Sequence, residues 1–211
     1  MDRMRTLPLW LACSWVLAAG PLSSCRARSP DAQSTASGDI PASARIPLSV
    51  DEVIAHTDDT QFAIALSNLL VAREDSVGYG GLTAAERVIF CLNGLETEVN
   101  SGGFSQYFRN STGDHATDAP AALRALGAPK IATLVEQALT VFPAAPSPDQ
   151  SAREAQVAAL SDQAKGRLEL LDAEFHSYPE PLTQLARSFV ESHRSEFLAP
   201  ANAGGSLIPS N

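Results

Sequence analysis

Glu96 and Glu98 stand close together in the chain, and Asn100, Gln106 and Asn110 follow them before Gly113. Carboxylates that converge with amide side chains can hold a peptide, a cation or a small polar ligand. One of them can act as a general base, provided that its oxygen reaches the proton to be taken. Or the whole set can serve the fold, because buried polar groups must find partners and a tight turn leaves backbone groups to satisfy. Gly102-Gly103 interrupts the polar residues, and Phe104, Tyr107 and Phe108 crowd the positions just after it. On a single helical turn this spacing sends the three rings the same way. The candidate binding residues are therefore Glu96, Glu98, Asn100, Gly102, Gly103, Phe104, Gln106, Tyr107, Phe108 and Asn110. No residue is singled out as catalytic.

These residues need a helix to carry them. Thr83 and Glu86 have capping-box spacing, so each can satisfy the other's free backbone N–H at a helix start. Val88, Leu92, Leu95 and Val99 then recur at steps of four, three and four, which makes one apolar stripe. At about 100° per residue, Glu96 and Glu98 fall roughly 80° either side of that stripe, at its boundary. Gly102-Gly103 can supply the positive φ of a helix end or sharp reversal. Upstream, Ser49 is a candidate N-cap, and apolar spacing predicts helix to about Arg73, broken at Val77–Gly81. Downstream, Asp114, Thr117 or Asp118 can cap a helix that ends at Leu126, where Gly127 closes it. Further helices are predicted over 129–142, from Asp149 or Ser151 to Phe175, and over 181–198. No stretch alternates with the period of a strand. The fold expected is all-α, a single helical bundle of about six helices with short loops.

The residues of this stretch resemble a known signature. Glu96-x-Glu98-Val99-Asn100-x-Gly102-Gly103-Phe104-x-Gln106-Tyr107-Phe108-x-Asn110-Ser111-x-Gly113 is similar to the motif of the bacterial DNA-mimic protein family, in its C-terminal domain. The similarity is densest over 83–142 and looser to about 198. It implies an all-α fold. The family's named member is an acidic cytoplasmic protein understood to occupy the DNA-binding face of a transcription regulator. At position 101 this chain has Ser where Asn is expected in many relatives.

Other features lead to the expectation that the domain lies outside the cytoplasm. Arg3 and Arg5 precede an apolar stretch from Leu7 to Leu22, which Pro8, Ser14, Gly20 and Pro21 interrupt and which is short for a membrane span. Leu22-Ser23-Ser24-Cys25 resembles a bacterial lipobox, which implies cleavage before Cys25 and lipidation of its thiol. The expected organisation is signal peptide over 1–24, lipidated Cys25 and disordered tether over 25–48, helical domain over 49–198 and flexible tail over 199–211. Arg26–Pro47 is rich in Ser, Ala and Pro and cannot bury enough surface to order itself; its random-coil reach is roughly 25 Å. Cys91 is then the one cysteine left in the mature domain, expected as a small buried apolar residue.

The 211 residues carry a formal charge of −9, and the 49–198 segment holds 21 Asp and Glu against 10 Lys and Arg. That balance opposes direct nucleic-acid binding, which needs cationic side chains for phosphates. It suits a basic protein or a peptide as partner. His56, His115, His176 and His193 are scattered, with no HExxH and no cysteine pair, so no metal site and no cofactor is expected. There is no GxSxG, P-loop or GxGxxG. The function expected is a membrane-anchored, non-enzymatic protein- or peptide-binding module in the bacterial cell envelope. The alternatives are a hydrolase-like enzyme using Glu96 or Glu98 as its base, and a structural envelope lipoprotein.

Overall fold

The computed structural model describes residues 49–198. The signal segment, Cys25, the tether and the tail lie outside the described residues. Within them the chain is all-helical: α1 (Val50–Ile54), α2 (Asp59–Gly81), α3 (Ala84–Arg109), α4 (Ala119–Leu126), α5 (Pro129–Leu139), α6 (Gln150–Ala158), α7 (Asp162–Phe175) and α8 (Leu182–Ser192). Two 3-10 turns, Ser111–His115 and Arg194–Glu196, complete it.

The helical bundle is as expected, but it has more helices than the apolar spacing suggests, because polar caps restart the backbone inside continuous apolar patterns. Asp58 accepts from Gln61 N–H at 2.9 Å and opens α2 separately from α1. Ser161 accepts from Ala164 N–H at 3.2 Å and divides the predicted 149–175 helix into α6 and α7. Ser49 and Asp149 cap α1 and α6 as predicted. The break at Val77–Gly81 is a kink at Gly78, whose φ of 68° only glycine adopts cheaply. Asp118 does not cap α4 with its side chain; it receives the Tyr79 hydroxyl at 3.0 Å instead. The predicted last helix stops at Ser192 and continues as a 3-10 turn.

α3 is the axis of the bundle and packs against α2, α4, α6, α7 and both 3-10 turns. Its stripe of Val88, Leu92, Leu95 and Val99 is buried. Glu86 fixes its start. The capping box with Thr83 is complete, with bonds of 3.1 Å and 2.8 Å. The same carboxylate accepts from Arg73 Nε at 3.3 Å and from Leu198 N–H at 2.9 Å, although it is fully buried. Removing one partner of such a buried ion pair costs about 3–5 kcal/mol. One side chain therefore ties the α2–α3 corner to the chain's last described residue.

Candidate functional site

The signature is a kink inside α3. Gly103 has φ 75° and ψ −177°, while Gly102 is extended at φ −167°. Helix resumes at Phe104 and ends at Arg109. Gly103 therefore takes the positive φ that its sequence allows, but the chain bends and continues where the sequence suggests an end. The gap in the helical hydrogen bonds is filled from α7: Phe104 N–H donates to Asp172 Oδ1 at 2.7 Å. Asp172 lies so near Gly103 that a Cβ there would overlap its carboxylate. Burial pushes the Asp172 carboxyl above the usual range, and the Phe104 N–H pulls it back.

After the kink the three rings turn inward together. Phe104, Tyr107 and Phe108 are all buried. Phe104 meets Phe175 edge-on at 6.1 Å, and Phe108 meets Phe142 edge-on at 4.8 Å. They are core, so a ligand on the surface does not reach them.

The two carboxylates work in different places. Glu98 Oε2 accepts from Gln106 Nε2 and from Asn110 Nδ2, both at 2.7 Å, and clamps the second half of α3 to the first. Glu96, by contrast, is buried and not at a boundary. Its Oε1 accepts from the Tyr178 hydroxyl at 3.0 Å, and that hydroxyl accepts from Asn100 Nδ2 at 2.7 Å. Tyr178 reaches them from a left-handed backbone, φ 47°, in the α7–α8 link. Burial and the Glu96 charge raise the Tyr178 phenol well above its ordinary value. Of the sequence candidates, Glu98, Gln106 and Asn110 meet one another, Glu96 and Asn100 meet through Tyr178, and Gly102 is exposed.

Three residues with no local signal in the sequence complete the arrangement: Asp172, Tyr178 and Arg153. Arg153 is fully buried and donates to the carbonyls of Phe108, Asn110 and Ser147 at 2.6–2.7 Å and to Asp114 Oδ1. It caps the C-terminal end of α3 from α6, where a cation also suits the helix dipole. Gly113 allows this approach, since a Cβ there would stand 2.9 Å from Arg153 Nε.

A second cluster surrounds Cys91, which is buried as expected. Its thiol is pushed up to about 11, chiefly by burial, so it is not a thiolate nucleophile at neutral pH. Tyr79 lies 3.7 Å from it and stacks on His115 at 3.4 Å. No group of three or more His, Cys, Asp or Glu is placed to hold a metal among the described residues.

Residues 49–198 carry 21 Asp and Glu against 10 Lys and Arg, so carboxylates remain after every cation is matched. Arg73, Arg124, Arg153, Arg187 and Arg194 each pair with a carboxylate. Arg87 donates to the carbonyls of Tyr79 and Gly80, and Arg167 to Gln137. Carboxylates such as Asp162, Glu169, Glu174 and Glu191 are exposed and enter no ion pair among the described residues.

An acidic all-α bundle built on one kinked helix, with its signature turned inward, is the class of protein that these elements define. The family model described as DMP19-like protein matches residues 80–193, more than half of the chain, and the chain belongs to that family. The matched span runs from the end of α2 through α8, beyond the 83–142 core of the signature. No curated protein and no solved structure matches the chain.

Proposed function

We propose that this chain is a membrane-anchored envelope lipoprotein whose acidic helical domain binds a basic protein partner without catalysis. One observation carries the binding role: 21 carboxylates face 10 cationic side chains over residues 49–198, and most of those cations are spent on internal contacts. The net charge of this segment is therefore negative. Such a surface steers basic partners. Membership of a DNA-mimic family supports the same role, with carboxylates standing where phosphates would. The lipobox-like Leu22–Cys25 supports anchoring, and the sequence between Cys25 and Ser49 supplies the tether.

The test has two arms on the full-length chain. Cys25→Ala should move the protein from the membrane fraction to the soluble fraction; a variant that still sediments with membranes removes the lipid anchor from the proposal. Cross-linking in envelopes should then recover a partner rich in Lys and Arg, with a yield that falls as salt screens the charges over a Debye length of about 8–10 Å. Recovery that ignores salt, or a partner without a basic face, overturns the binding role.

A further inference from the structure

A groove of about 500 Å³ runs between α2 and α3, apart from the signature contacts. Its walls are helical faces: Val71, Glu74 and Asp75 at i, i+3, i+4 on α2, and Phe90, Asn93 and Thr97 at i, i+3, i+7 on α3. Three properties set it apart from a packing defect. Val71 is 53 % exposed, one of three large apolar side chains left outward among the described residues. Asn93 is buried, yet among the described residues its Oδ1 has no hydrogen-bond partner, and the buried Thr112 Oγ1 beside the groove has none either. Leaving a buried polar atom unpaired costs about 1–3 kcal/mol. Glu74 and Asp75 at the groove form no ion pair among the described residues, while Arg73 between Val71 and Glu74 turns inward to Glu86. The groove thus offers apolar walls, an acceptor waiting for a donor, and two uncompensated negative charges.

An arginine matches all three at once. Its aliphatic stem covers apolar surface, its planar head stacks on an aromatic face, and its N–H groups serve neutral and charged oxygens together. We propose that the groove seats an arginine-bearing apolar segment of the partner protein. The stem lies along Val71 and Phe90, one N–H donates to Asn93 Oδ1, and the guanidinium meets Glu74 and Asp75. This rests on the acidic-module function above, and it gives that function a location.

The test is NMR titration of the full-length chain in detergent micelles. The probe is an acetylated, amidated peptide with leucine and arginine at helical spacing. Matched peptides replace arginine by glutamate or leucine by serine. The leucine–arginine peptide should move the Asn93 side-chain amide and Val71 methyl resonances, and the other two should not. Glu74→Gln/Asp75→Asn should weaken binding by about tenfold, the equivalent of one charge-assisted hydrogen bond. Val71→Ser should also weaken it. Glu169→Gln/Glu174→Gln, exposed on α7, should leave it unchanged. All these positions are exposed or half-buried, so the variants keep the fold. Equal weakening by both carboxylate pairs, or resonance shifts spread over the surface, overturns the groove and leaves the acidic-module function standing. No binding of the leucine–arginine peptide to the wild type overturns the groove, and salt-independent recovery in the envelope cross-linking overturns the wider function separately.

Discussion

Gly103→Ala tests whether the kink in α3 is held by two specific features. The first is backbone: φ 75° with ψ −177° is a region open essentially to glycine, and a side chain there costs about 1–3 kcal/mol. The second is space. A Cβ would overlap the Asp172 carboxylate and stand 2.7 Å from its Cγ, so Asp172 must leave. Its 2.7 Å bond from the buried Phe104 N–H then breaks, which costs about 1–3 kcal/mol. Alanine restricts the unfolded chain and offsets about 0.4–1 kcal/mol. The net loss is about 3 kcal/mol. In urea, with a slope of about 2 kcal/mol/M, the midpoint falls by about 1.5 M at unchanged slope. Gly102→Ala is the control. Its φ of −167° suits any residue, and its Cβ meets the far end of Gln106, which can swing aside at the loss of one bond to Glu98, about 1 kcal/mol. A double variant, Gly103→Ala/Asp172→Ala, should fall short of additivity by about 1–3 kcal/mol, because the Phe104 bond is lost only once. A Gly103→Ala protein within about 0.5 kcal/mol of wild type, or no worse than Gly102→Ala, refutes the argument.

Three other perturbations probe the same frame. Glu98→Ala strands two half-buried amides and should cost about 1–3 kcal/mol in urea unfolding, while Glu98→Gln, which keeps an acceptor, should cost less than half of that. Arg153→Met leaves three carbonyls and Asp114 without their cation and should cost about 3–5 kcal/mol; a drop below 1 kcal/mol would show that α6 does not cap α3. Burial lowers the His115 pKa, against the raising fields of Asp114, Asp118 and Glu74, with Arg153 adding to the lowering. The folded protein therefore binds fewer protons than the unfolded one, and His115's contribution is present above about pH 6.5 and lost as pH falls below it. His115→Phe, which keeps a ring on Tyr79, should flatten the fall in melting midpoint between pH 7 and 5.

What the sequence made legible is what neighbours in the chain decide. The start of α3 follows from Thr83 and Glu86, four residues of one turn. The positive φ at Gly103 and the common direction of Phe104, Tyr107 and Phe108 follow from residue types within a few positions. The depth of Glu96 does not. Its angle on α3 makes it a boundary residue, and it is buried because Tyr178, 82 residues later, covers it with a hydroxyl. Asp172 and Arg153 escaped for the same reason, being polar residues on unremarkable helices whose partners are backbone groups 68 and 45 residues away. The division of α6 from α7 was hidden because Val157, Leu160 and Leu168 keep helical spacing across the Ser161 cap.

The inward turn of the signature changes which carboxylates a partner can use. Glu98 is committed to Gln106 and Asn110, and Glu96 to Tyr178. A variant at either site acts on the kink first, so a loss of binding there would follow a loss of fold. The charge available to a partner belongs to residues that frame nothing, such as Glu74 and Asp75 on α2 or Glu169 and Glu174 on α7. α3 separates the two tasks on one helix. The stripe of Val88, Leu92, Leu95 and Val99 faces the interior, and Phe90, Asn93 and Thr97 face the groove. Gly94 holds that division. A Cβ there would stand 3.2 Å from Thr112, so glycine lets the 3-10 turn lie against α3 where Thr112 joins the groove. Gly94→Ala should therefore displace Thr112 and reduce arginine-peptide binding while Cys91, Leu92 and Leu95 stay buried. A variant that loses stability by several kcal/mol would show instead that the groove and the core are one unit.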